Sequence, residues 1–165
     1  MDRALGRPAH KRNRIVAEMT QRIVSGRWAP GSRIPTQAQL QASFHAANPT
    51  VQGAINVLRH GGFLQTRGTR GTYVSPHPPH LCRYALVFQG QPGGVWSGFW
   101  QAIAASAHRL EARDRPRLRF AVFHNINGRT DTDDCRRLLA DLRARRLAGM
   151  VLTSPPFILR DTGIL

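Results

Sequence analysis

The segment Ser75-Pro76-His77-Pro78-Pro79-His80 constrains this chain more than any other. Its prolines fix φ and remove backbone donors, so neither a helix nor a central strand can run through it. The composition predicts an extended, semi-rigid linker over residues 76–81, between one unit over 1–75 and another over 82–165. A chain of 165 residues has room for two small domains. At 41% hydrophobic and 20% charged residues it can bury a core, which excludes a wholly disordered basic tail.

The two halves differ in charge. Residues 1 to 80 hold 11 basic and 2 acidic side chains, residues 81 to 165 hold 13 and 7, and the whole chain carries +15. Of the 24 basic residues only Lys11 is a lysine, placed in the basic N-terminal arm His10-Lys11-Arg12-Asn13-Arg14. That argues against a buried lysine Schiff base and so against pyridoxal-type chemistry. An arginine-rich surface favours anionic partners, because guanidinium forks match phosphate oxygens. Nucleic acid is the first candidate and an anionic membrane the second.

The first residues contain no apolar core of a signal peptide. The uncharged stretch from Tyr84 to His108 is broken at Gln89-Gly90-Gln91-Pro92-Gly93-Gly94, short of the ~20 apolar residues of a spanning helix. A cytoplasmic chain with no membrane partner is expected, with Cys82 and Cys135 as reduced thiols. No internal repeat is present.

In the first half, Ile15, Met19 and Ile23 recur every four residues, flanked by Val16 and Val24, as one stripe of a helix ending near Ser25-Gly26. Ala29-Pro30-Gly31 makes a turn. Thr36 and Gln39 form a capping-box signature for a short helix with Leu40 and Phe44 inward. Asn48-Pro49 reads as N-cap and first residue of a third helix, closed by Gly61-Gly62. In that helix Val51, Ala54, Ile55 and Leu58 fill one arc, while Asn48, Gln52, Asn56 and Arg59 fill an adjoining polar one. Phe63-Leu64-Gln65-Thr66-Arg67 and Gly71-Thr72-Tyr73-Val74 then read as a hairpin across Gly68-Thr69-Arg70.

A polar arc is common to every amphipathic helix. Followed by a hairpin bearing Arg67 and Arg70, it fits a helix in the major groove with a wing on the minor groove or backbone. Ile23-Val24-Ser25-Gly26, Pro30-Gly31-Ser32-Arg33-Ile34-Pro35-Thr36, Leu40, Thr50-Val51, Ala54, Leu58, Gly62-Phe63-Leu64 and Gly68-Thr69-Arg70-Gly71-Thr72-Tyr73-Val74 resemble the winged helix-turn-helix of the GntR family of bacterial repressors. The resemblance spans about residues 12 to 75. It implies a homodimer on double-stranded operator DNA, with contacts from Thr36, Gln37, Asn48, Thr50 and Gln52 and, at the wing, Arg67, Gly68 and Arg70. Where the family often has arginines in the second and third helices, this sequence has Ala38, Asn48 and Gln52. Recognition would therefore rest more on amides than on charge.

The second half reads as strand (Tyr84–Phe88), helix (Trp96–Ala112), strand (Leu118–Phe123), helix (Asp131–Arg146) and strand (Gly149–Thr153). That order implies a parallel βαβαβ sheet, and an incomplete one. The fold class expected is thus an α+β winged helix-turn-helix followed by an incomplete α/β parallel-sheet domain. Residues 82 to 155 resemble the start of a sugar-repressor sensor of the LacI/GalR type, through the first strand, Phe99-Trp100, Leu138-Leu139, Leu142 and Ala148-Gly149-Met150-Val151-Leu152. The resemblance implies a two-lobed sensor of which only the first half of the first lobe is covered. A sugar-like effector, stacked on Trp96 and Phe99, would bind only a full-length form.

Other constellations have plainer readings. Gly90, Gly93, Gly94 and Gly98 spell neither a dinucleotide fingerprint nor a P-loop and read as a turn. His77, His80 and Cys82 could ligate a metal but lack an evident fourth ligand. Arg113, Arg115, Arg117 and Arg119 read as a solvated helix end rather than a phosphate site. No nucleophilic triad can be assembled around His108 or His124. The reading is a transcriptional regulator, a repressor without cofactor or catalysis. The alternative is a ligand-independent DNA-binding or architectural protein whose second domain only mediates dimerisation.

Overall fold

The computed structural model describes residues 6–91, 98–114, 117–129, 131–160 and 162–164. It divides into two units, Met1–Pro78 and Pro79–Leu165.

The first unit is built on α1 (Gly6–Val24), α2 (Gln37–Phe44) and α3 (Asn48–His60). Ile15, Met19 and Ile23 of α1 are buried with Leu40 of α2 and with Val51, Ala54, Ile55 and Leu58 of α3. The basic segment from His10 to Arg14 is not an arm: it is continuous with α1. The capping box at α2 is formed, with Thr36 N–H donating to Gln39 Oε1 (2.8 Å) and Gln39 N–H to Thr36 Oγ1 (3.3 Å). Asn48 does not cap α3. The N-cap is Ala47, in extended conformation and without a side-chain bond, and Asn48 is already helical. Its carboxamide instead accepts a hydrogen bond from Gln37 Nε2 at the start of α2. A tertiary contact here takes the group that local capping preference would have used.

Strands β1 (Leu64–Thr66) and β2 (Thr72–Val74) pair antiparallel, Leu64 opposite Val74, around a 3-10 turn at Gly68–Arg70. Leu64 and Val74 point into the core, which ties the wing to the three helices. The loop before α2 adds a further pairing. Arg33 bridges Tyr73, with Ile34 N–H donating to Thr72 O (3.0 Å) and Val74 N–H to Ser32 O (2.8 Å).

The second unit opens with α4 (Pro79–Cys82), where an extended linker was expected. Proline suits the first turn of a helix, whose N–H groups need no intrahelical acceptor. Then follow β3 (Arg83–Val87), α5 (Gly98–Arg113), β4 (Arg119–Phe123), α6 (Asp133–Arg143) and β5 (Gly149–Leu152). The sheet order is β4-β3-β5 and both neighbours run parallel to β3, with Tyr84 opposite Phe120 and Gly149. Because side chains alternate along β3, Ala85 and Val87 pack with Phe123 and Leu138 of α6, while Leu86 packs on the other face with Ala107 of α5. A 3-10 turn at Pro156–Leu159, which the sequence pattern does not signal, brings Leu159 into the α6-side core.

At the foot of that core Asp141 accepts from Arg83 (2.6 Å) and Arg146 (2.9 Å), with its side chain 10% exposed. Cys82 and Cys135 are both buried, and burial pushes both thiols above their ordinary pKa. Among the described residues no helix is long and apolar enough to cross a membrane, and no group of three or more His, Cys, Asp or Glu side chains could hold a metal ion.

Removing one member of a largely buried ionic cluster leaves the other charges uncompensated. Asp141→Ala should destabilise the second unit by about 3 kcal/mol. Amide hydrogen exchange should then accelerate in Arg83–Val87 while α3 keeps its protection. Unchanged exchange in β3 would show that the cluster is peripheral to stability.

Candidate nucleic-acid interface

The apolar stripe of α3 is turned into the core, so its other residues are fixed on the outside before any partner arrives. Asn48 is exposed at the first turn, and Thr50, Gln52 and Asn56 are half-buried further along. Gln52 Nε2 donates to Asn56 Oδ1 at 3.2 Å. Arg59 is exposed in the last turn, where its charge also faces the negative end of the helix dipole. The surface reaching from α2 to α3 is therefore made of two amide pairs, Gln37–Asn48 and Gln52–Asn56, with the threonine hydroxyl at position 50. Thr36 is exposed, but its backbone N–H and its hydroxyl oxygen are both engaged in the α2 cap.

At the wing the two arginines have different surroundings. The Arg67 guanidinium lies 4.6 Å from the centroid of the Tyr73 ring and beside the Gln65 carboxamide, whose oxygen, turned toward it, accepts at 2.8 and 3.2 Å. Arg70 is exposed at the tip, and its carbonyl accepts from the Tyr73 hydroxyl (3.2 Å). Gly68 opens the turn with nothing near the position a Cβ would take. Gly71 closes it at φ +104°, where an added Cβ would also meet the Arg33 guanidinium at 3.0 Å. The backbone requires glycine there, and a larger residue would also displace the exposed Arg33 side chain.

The structure adds basic groups that the sequence pattern did not bring to the site. Lys11 Nζ donates to the carbonyl of His45, the left-handed residue that closes α2. The Arg12 stem lies over Gly53, leaving 3.2 Å between its Cδ and an added Cβ, so it crosses α3 between Gln52 and Asn56 in sequence. Lys11, Arg14 and Arg22 line a groove of about 820 Å³ that reaches Ala47 and Thr50. Glu18 is the only acid among the described residues of this unit, and it is paired with Arg22 (3.1 Å), whose guanidinium also lies over Trp28 and Phe44. Since the apolar repeat of α1 begins at Ile15, no periodicity marked the turn before it. The signal available was the local density of basic residues.

Of the expected effector residues, Trp96 lies outside the described residues. Phe99, on α5, is 66% exposed and lines an apolar groove of about 300 Å³ with Ile103, Leu110, Phe120 and Val151.

A three-helix unit with a two-stranded wing, an uncharged polar helix face and a basic surround defines a winged helix-turn-helix. Residues 11–74 match the model of the family described as "Bacterial regulatory proteins, gntR family", so this segment is similar to the DNA-binding domain of that family. The chain is similar to the HTH-type transcriptional repressor NanR of Klebsiella aerogenes, 22% identical over 161 residues, covering 92% of this chain and 62% of that protein. NanR of Cronobacter sakazakii is 23% identical over 99% of this chain and 68% of its own length. The HTH-type transcriptional regulator TauR of Rhodobacter capsulatus is 37% identical, but over 41% of this chain and 14% of TauR. The chain thus spans about two thirds or less of these relatives. A solved structure described as AraR(DBD) in complex with operator ORR3 aligns at 29% identity with a TM-score of 0.39, over 39% of this chain and 78% of that one.

Replacing Gly71 by Ala should strain the backbone and push on Arg33, lowering the stability of the first unit by about 1 to 3 kcal/mol. The measurement is chemical denaturation followed by Trp28 fluorescence. An unchanged midpoint would mean that the wing relaxes around the new methyl group.

Proposed function

We propose that this chain is a sequence-specific, DNA-binding transcriptional regulator, acting as a repressor. In this reading α3 enters the major groove with Asn48, Thr50 and Gln52 toward the bases, and Gln37 supports the entry from α2. Thr36, with its hydroxyl engaged in the cap, lies at the phosphate backbone. Arg70 and the open backbone at Gly68 meet the minor groove or its phosphates, while Arg67 chiefly braces the hairpin. Lys11, Arg12 and Arg14 grip the backbone beside α3. The observation that carries the reading is the joining of an outward amide face to a unit whose one described acid is already neutralised by Arg22.

The second unit, a parallel βαβαβ sheet, fits a sensor of the LacI/GalR type, with a homodimer as the working form and a sugar-like effector for the full-length protein. Effector-dependent release from one operator supports this reading. Equal affinity for random and operator DNA supports an architectural protein instead.

Phosphate neutralisation releases counterions, so log K for duplex DNA should fall by about 0.9 per contact per log unit of salt. Fluorescence anisotropy between low and moderate salt measures the slope, and a flat response would sink the proposal. Arg70→Ala should make the slope shallower by about one contact and leave stability within about 0.5 kcal/mol. Arg67→Ala should chiefly destabilise the hairpin, by about 0.5 to 1 kcal/mol for the lost ring contact. If the two variants exchange these effects, the assignment of brace and contact is reversed.

A further inference from the structure

We propose that α3 reads adenine through Gln52, with Asn56 as the positioning residue that fixes the orientation of the Gln52 amide. The inference rests on the DNA-binding reading and specifies what that surface recognises.

Gln52 Nε2 donates to Asn56 Oδ1, one helical turn further on, and both side chains are half-buried on the outward face. Residues four apart on a helix are neighbours, so the pair closes without distorting α3. A glutamine amide has two N–H donors and one carbonyl oxygen. The bond to Asn56 uses one donor and leaves the second N–H and the oxygen in a common plane. The major-groove edge of adenine presents the complement, with N6–H to meet an acceptor and N7 to meet a donor. Guanine presents two acceptors, O6 and N7, and would set one of them against the Gln52 oxygen.

The rest of the face agrees. Asn48, Thr50, Gln52 and Asn56 carry no charge, and the one guanidinium of α3, Arg59, sits in its last turn. The groups that favour guanine are absent from the turns that enter the groove. A free glutamine would lose rotamer freedom on contacting a base. The bond to Asn56 removes much of that loss in advance, as preorganisation does generally.

The test is selection from a randomised duplex library with the full chain, followed by anisotropy titrations on the selected duplex and its single-base replacements. Wild type should select adenine at one position and lose about tenfold or more in affinity when guanine replaces it. Gln52→Ala should abolish the preference at that position alone. Asn56→Ala should reduce the preference there to within about threefold, with an unchanged melting temperature. Asn56→Asp keeps an acceptor for Gln52, so it should restore the preference while weakening binding to every duplex. A merely structural role for Asn56 would not move base preference in this pattern. Guanine at the position governed by Gln52, or an adenine preference that survives Asn56→Ala, overturns the assignment while the DNA-binding reading stands. Failure to bind any duplex at low salt overturns both.

Discussion

Burial of one stripe of α3 against α1 sets everything else in the first unit. Val51, Ala54, Ile55 and Leu58 are enclosed by Ile15, Met19 and Ile23, and removing that much apolar surface from water leaves α3 no freedom to rotate. Which side chains face outward is then settled by helical periodicity. The same core receives Leu64 and Val74, so the wing is held to the helix it accompanies rather than attached as a loose hairpin. Arg33, pairing with Tyr73 and lying against Gly71, fastens the loop before α2 to the same wing.

The second unit obeys a different constraint. Its central strand β3 is covered on both faces, by α6 on the side of Ala85 and Val87 and by α5 on the side of Leu86. This is why the run from Tyr84 to Val87 is continuously apolar instead of alternating. β4 and β5 occupy the sheet edges in this chain. Asp141, the buried charged residue of this unit among those described, is held by two arginines from either side of it in sequence.

Features with a local cause were legible before any coordinates. The capping box at Thr36 and Gln39, the apolar arc of α3 and the hairpin all follow from spacing within a few residues. Apart from Pro79, the failures have a common physical origin in contacts between distant segments. Asn48 is by type a good N-cap, yet Gln37 draws its carboxamide away and leaves Ala47 at the cap. Pro79 reads as a breaker, although the first turn of a helix accommodates it. The Arg33–Tyr73 pairing has no alternating pattern to betray it. Lys11, Arg12 and Arg14 were recognisable as charge, but only the crossing of α1 over α3 places Arg12 at Gly53. For the candidate site, residue types were readable and mutual hydrogen bonding was not. The pairing of Gln52 with Asn56 depends on rotamers rather than on sequence spacing alone.

The outward face of α3 contributes neither a buried apolar side chain nor a helix cap to the fold. Exchanges at the half-buried Gln52 and Asn56 or the exposed Arg59 therefore carry little stability cost, as is general for surface positions away from caps and cores. A lineage of such domains can drift from one binding sequence to another by changing these residues while the scaffold stays above its folding threshold. Residues such as Val51 or Gly71 have no such latitude, and diversification of the target and maintenance of the fold fall on separate sets of codons.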